Sequence, residues 1–130
     1  MAHYFTREEA EALLPAIIPV LEQIRDQRKA MLEAESELGE LHMQSMNNGH
    51  HLQNRIARLQ HTLEHLIESL QALASKLDDF GCVLKDPDMG LIDFLSQRSG
   101  REIYLCWRLG EDRINFWHYL DAGFAGRQAL

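Results

Sequence analysis

Residues 52–80, LQNRIARLQHTLEHLIESLQALASKLDDF, decide how this chain is organised. A large apolar side chain recurs at Leu52, Ile56, Leu59, Leu63, Leu66, Leu70, Leu73, Leu77 and Phe80, in alternating steps of four and three. Such steps keep side chains on one stripe of a helix and form the heptad seam of a coiled coil. An earlier run repeats them: Leu13, Ile17, Val20, Ile24, Gln27, Met31, Ala34, Leu38 and Leu41. The two runs are equal in length, so helices carrying them would match at roughly 42 Å each. His42 to His51 lies between, with Asn47-Asn48-Gly49 as the natural breaker. The expectation is an antiparallel helical hairpin with Leu41 beside Leu52 and Leu13 beside Phe80.

Gln27 and Ala34 thin the first seam, and Ile18, Leu21, Leu32 and Ile67 lie off it. Two helices cannot cover that surface alone, so the terminal segment or a second chain must. Self-association is therefore expected, with a dimer favoured. Upstream, Thr6-Arg7-Glu8-Glu9 fits a capping box and starts a helix. Pro15 and Pro19 each lack an N–H, which predicts a kink or restart near residues 13–19. Phe80-Gly81 ends the second helix, with glycine just past its last turn.

The remaining residues change character. Six of the ten aromatic residues, both tryptophans among them, fall between Tyr104 and Phe124. Cys82-Val83-Leu84 is β-prone, Asp86-Pro87-Asp88-Met89-Gly90 reads as a turn, and Leu91 to Leu95 as a short extended piece. Gln97 to Gly100 reads as a loop. Arg101–Leu109 and Ile114–Leu120 alternate as strands do. A two-residue turn at Glu111-Asp112 would set Leu109 opposite Ile114, Trp107 opposite Phe116, Leu105 opposite His118 and Ile103 opposite Leu120. That register gathers one apolar face interrupted only by His118; a slip of one residue mixes the faces. It also puts Cys106 and His118 on opposite faces, which disfavours a Cys–His dyad or a shared metal.

The chain has 130 residues, enough for one domain, with residues 1–80 as hairpin and 81–130 as sheet and tail. Apolar residues are 45 % and charged residues 25 %, a balance that excludes disorder as the default. Net charge is −7, of which −6 lies in residues 1–80. A phosphate backbone would be repelled there and meets no basic stripe elsewhere, so no nucleic-acid partner is expected. No apolar run approaches a membrane span, and Met1 to Arg7 has no secretory h-region. Two cysteines are too few for a disulfide framework, which favours a reducing, cytoplasmic location.

Three stretches carry a resemblance: Gly90-Leu91-Ile92-Asp93-Phe94, Gly100 to Glu111, and Trp117-His118 with Asp121-Ala122-Gly123-Phe124-Ala125-Gly126-Arg127-Gln128. With the opening Tyr4-Phe5-Thr6, Glu9-Ala10 and Leu13-Leu14-Pro15, the whole chain resembles domain-of-unknown-function family 2203, small uncharacterised prokaryotic proteins. Leu95 stands where that pattern often has proline. The resemblance implies the fold and carries no activity.

Candidate chemistry concentrates near the C-terminus. His118 is either a core histidine bonded to a backbone carbonyl or Asp121, or a general base oriented by Asp121. Asp121-Ala122-Gly123-Phe124-Ala125-Gly126-Arg127 is rich in short residues and can cradle a small anion, with Arg127 and Arg108 as donors. The alternative is a tail packed on the sheet with Arg127 bridging to Asp93 or Asp121. Asp93, beside Phe94, reads as a buried carboxylate paired with an arginine, with a catalytic acid as the alternative. The lone thiols Cys82 and Cys106 read as small buried apolar groups. His61 and His65, four apart on the outer helix face, have zinc-chelating spacing without an HExxH, and His42, His50 and His51 surround the loop. No cofactor, metal ligand or catalytic residue is assigned. The expectation is an α+β protein, a long antiparallel helical hairpin followed by a small antiparallel β-sheet, acting as a self-associating interaction or scaffold module without catalysis. The alternative function is binding of a small anion or small molecule, or an enzyme, at a sheet-edge pocket of Asp93, Arg108, His118, Asp121 and Arg127.

Overall fold

The computed structural model describes residues 2–48 and 50–130 and is α+β: a helical hairpin, then a five-stranded antiparallel sheet. Helix α1 spans Arg7–Asn48 and α2 spans Gln53–Phe80, with a short 3-10 turn at His50–Leu52. Of the expected breaker, the helical backbone runs through Asn47 and Asn48, while Gly49 lies outside the described residues, as does the side chain of His50. The capping box forms as read. Thr6 Oγ1 accepts the Glu9 N–H at 3.1 Å, and Glu9 Oε1 accepts the Thr6 N–H at 3.4 Å.

The helix does not restart at the prolines: α1 is continuous through Pro15 and Pro19. The two are one helical turn apart and both exposed, so the carbonyls they leave unbonded face water rather than the core. Every seam position of both runs is buried or half-buried, none exposed. Leu21, off the seam, is fully buried because the sheet lies over that side of α1, and Ile18 packs against the same core. Leu32 and Ile67 remain exposed.

At the end of α2, Gly81 adopts φ 91° and donates its N–H to the Asp78 carbonyl at 2.9 Å. Strands β1 Val83–Asp86, β2 Leu91–Arg98, β3 Arg101–Arg108, β4 Phe116–Tyr119 and β5 Gln128–Ala129 follow in sheet order. The Asp86–Gly90 turn forms around Asp86 Oδ1, which accepts the N–H groups of Asp88 and Met89. The piece read as Leu91 to Leu95 is longer: β2 runs on to Arg98 and turns tightly through Ser99 and Gly100, both at positive φ. Gln97 thus belongs to a strand, not a loop. Beyond β1, the edge of β2 is met by the N-terminal segment, where the Phe5 N–H bonds the Leu95 carbonyl at 2.8 Å.

The β3–β4 register also differs from expectation, by one residue. Tyr104 pairs with His118, Leu105 with Trp117, and Cys106 with Phe116. Two causes are visible. Ile114 does not enter the strand: its N–H goes to Glu11 Oε2 at 3.1 Å, and its side chain is buried in the core shared with the helices. The connection after Arg108 is therefore a seven-residue loop rather than a two-residue turn. The second cause is the composition of β4. Phe116-Trp117-His118-Tyr119 carries large rings in both phases, so hydrophobicity could not choose its inward face. Trp117 and Tyr119 turn to the helices beside Ile103, Leu105 and Trp107, and Phe116 and His118 turn away.

Candidate buried Asp–Cys–His site

On the sheet face away from the helices, Asp93 of β2 lies directly opposite Cys106 of β3, and Cys106 directly opposite Phe116 of β4. His118 occupies the next row, opposite Tyr104. Cys106 and His118 therefore share one face, correcting the expectation that they point apart. Strands two apart in a sheet are roughly 10 Å from each other. Asp93 and His118 still meet at 3.0 Å (Oδ2 to Nε2), reaching across β3 where the short Cys106 side chain leaves room. A bulky residue at that position would block the contact.

The three groups are sealed: Asp93 is 1 % exposed, Cys106 0 % and His118 2 %. Their Oδ, Sγ and imidazole nitrogen atoms all lie within 4.8 Å of one another. His118 Nδ1 stands 2.7 Å from the Tyr119 carbonyl oxygen. A carbonyl only accepts, so Nδ1 carries a hydrogen, and Nε2 is the atom turned to Asp93. A bare Nε2 lone pair beside a carboxylate oxygen would be repulsive, so positive charge, a proton or a cation, must sit between them. Asp93 Oδ1 has no hydrogen-bond partner among the described residues. Burial pushes the Cys106 thiol up to about 12, with the Asp93 charge adding to it. A thiol so held is protonated at neutral pH, the opposite of an activated nucleophile. Cys82 is a second buried thiol, raised by burial to about 11, in contact with the Leu77 carbonyl rather than with this cluster.

The tail closes over the face. It turns through a 3-10 segment at Phe124–Gly126, and the Arg127 guanidinium lies 4.0 Å over the Phe116 ring and 4.9 Å from that of Phe124. Arg127 Nη2 donates to both Glu111 carboxylate oxygens, at 2.7 and 2.8 Å. Glu111 Oε1 also accepts the Arg108 N–H at 2.7 Å, so one carboxylate ties the β3–β4 loop to the tail. The Tyr104 ring packs beside His118, and the Lys85 ammonium lies 4.8 Å from the centre of the Tyr104 ring.

Of the five residues assigned to a sheet-edge pocket, Asp93 and His118 come together. The other three do not join them. Arg127 pairs with Glu111, not with Asp93 or Asp121, and Asp93 pairs with a histidine, not an arginine. Asp121 is exposed and lines a surface groove with Gly100, Arg101 and Glu102. Arg108 is exposed, its guanidinium 5.9 Å from the Phe124 ring. The register expected from hydrophobic alternation separates Cys106 from His118, and Glu111 carries no signal in the sequence beyond its place after Gly110. Among the described residues, no helix is long and apolar enough to cross a membrane. No curated protein and no solved structure matches the chain. Residues 3–130 match the model of an uncharacterized conserved protein family, DUF2203, and the chain belongs to that family.

Proposed function

We propose that this protein is a cytoplasmic, self-associating interaction module whose hairpin forms a coiled-coil arm that docks on the arm of a second copy. One observation carries the reading. The core shared with the sheet ends at Ile24 in α1 and Leu70 in α2, yet the helices continue well beyond. The arm there exposes Leu32 at 49 %, Ile67 at 44 %, Met43 at 72 % and Met46 at 85 %. Apolar surface on a two-helix arm is stabilised by a further helical layer. Charge favours a second copy as that layer. Glu33, Glu35, Glu37 and Glu40 make α1 acidic there, while α2 offers Arg55 and Arg58. Arg55 and Glu37 already pair within the hairpin at 2.7 Å, and an antiparallel copy offers the same match between chains. Two buried, unpaired cysteines support the reducing compartment.

Light scattering at tens of micromolar tests this. The expected mass is that of two 15.0 kDa chains, falling to one in Leu32→Glu combined with Ile67→Glu, with helicity retained. A strict monomer for the unaltered protein overturns the proposal.

Binding of a small anion at the sheet edge keeps support from a different arginine pair. Arg98 lies 4.8 Å over the Trp117 ring and Arg101 3.9 Å over that of Tyr119, lining one groove with Gln128. Neither guanidinium has an acidic partner among the described residues. Titration calorimetry with inorganic phosphate decides it: heat lost in Arg98→Ala combined with Arg101→Ala supports this groove, and no heat in the unaltered protein removes it.

A further inference from the structure

The geometry points to a buried mononuclear site for a divalent transition metal, zinc by its donor set, held by Asp93, Cys106 and His118. Three strands each contribute one donor, and the donors lie within 4.8 Å of one another on a single sheet face. A tetrahedral zinc with bonds of roughly 2.0–2.3 Å sets its donors about 3–4 Å apart. The 3.0 Å between Asp93 Oδ2 and His118 Nε2 is already close to one edge of that figure.

A second observation is independent of the clustering. Asp93 Oδ1, on a side chain 1 % exposed, meets no N–H or O–H donor among the described residues, and the polar group facing Asp93 across the strands is the weakly donating Cys106 thiol. An unpartnered carboxylate oxygen in a sealed interior costs free energy unless something positive meets it. A metal at the centre of the cluster would do so, and with both oxygens Asp93 can supply a fourth bond. His118 is also oriented as ligating histidines usually are, with Nδ1–H donated to a backbone carbonyl and Nε2 presented inward.

Charge balances across the binding step. Before it, the cluster holds the Cys106 thiol proton and the proton shared by Asp93 and His118. On binding, both leave to solvent, the thiolate and carboxylate each contribute one negative charge, and the imidazole is neutral. The dication is thus neutralised by its ligands, the condition for burying it. Thiolate with imidazole and carboxylate selects zinc over magnesium or calcium, which take oxygen ligands. The site differs from the surface pair His61 and His65, whose Nε2 atoms are 3.1 Å apart on the exposed face of α2.

The test uses the untagged full chain, freed of metal with a chelator under unfolding conditions and refolded with Co2+ as the spectroscopic probe. The expected result is one cobalt per chain, a thiolate-to-cobalt charge-transfer band, tetrahedral visible bands, release of about two protons per metal, and displacement by zinc. Cys106→Ser should abolish the charge-transfer band and weaken binding by more than the roughly 100-fold that outer-shell changes produce. Cys82→Ser and the double change His61→Gln with His65→Gln should leave the band intact. The site is overturned by stoichiometric cobalt failing to bind, by binding without a thiolate band, or by a band that survives Cys106→Ser or vanishes in Cys82→Ser. Should Cys106→Ser not fold, X-ray absorption of zinc-loaded Cys82→Ser decides. One sulfur at roughly 2.3 Å supports the site, and a shell of nitrogen and oxygen alone overturns it.

Discussion

The two ends of the hairpin carry the same heptad pattern and stand in different surroundings. Near the sheet, Ile17 and Leu21 are 0 % exposed and Leu77 1 %, because strands cover the side of the helices that the seam does not. Toward the connection, Leu59, Leu63 and Leu66 are only half-buried, and Leu32 and Met46 are open to solvent. Heptad periodicity reports which residues face a partner helix. It carries no information on whether a third layer lies behind that helix. The sheet-backed end is thus a globular core, and the other end is a two-helix arm on which Leu32 and Ile67 stay exposed.

The sharpest way to break this contrast is a pair of truncations. Phe94→Ala removes a fully buried ring that packs edge-on against Phe5 at 5.2 Å, and should cost about 3–5 kcal/mol in urea unfolding. Leu63→Ala in the arm should cost less than about 1 kcal/mol at low protein concentration, since the site is half-solvated already. If the two losses are equal under those conditions, the arm is covered in the single chain and the contrast fails.

A smaller effect is expected at the junction between helices and sheet. Gly81→Ala places a Cβ at φ 91°, where an L-residue is strained by about 1–2 kcal/mol, and within 2.9 Å of the Phe5 ring. Thermal unfolding by near-ultraviolet circular dichroism should register the loss in the aromatic core. An unchanged midpoint would mean that Phe5 and the N-terminal segment do not brace the junction.

The smallest effect concerns the loop that displaced the strand register. The Arg113 guanidinium beside Glu11, helped by the Ile114 N–H, holds the Glu11 carboxyl below its ordinary 4.5. A carboxyl depressed in the folded state contributes stability that is present above its unfolded value and lost as pH falls through the folded one. Stability should therefore decline below about pH 4.5, less steeply in Glu11→Gln. Arg113 is 63 % exposed, so solvent screening keeps this contribution modest. Identical acid profiles for the two proteins would show that the loop is held by Ile114 burial alone.

The hairpin, its capping box and its terminal glycine were legible because each rests on residues close in sequence. Thr6 bonds Glu9 three positions on, and Gly81 bonds Asp78 three positions back. The restart offered at the prolines is absent for a tertiary reason: both prolines sit on the solvent face of a helix that the sheet supports from the other side. At the candidate site, Asp93 and His118 were each singled out, but their partnership was not. It depends on which rings of Phe116-Trp117-His118-Tyr119 face the helices, and four consecutive ring side chains do not alternate in polarity.

Local spacing alone determined that this chain makes a long helical hairpin followed by an antiparallel sheet, since periods of 3.5 and 2 are properties of neighbouring residues. Only the tertiary structure decided the strand register. The loop from Leu109 to Asn115 is pulled to α1 through Glu11, a contact across more than a hundred residues, and that pull shifts β4 by one position. A one-residue shift reverses every side chain of a strand. It is what put His118 on the buried face that Asp93 and Cys106 share through the β2–β3 pairing.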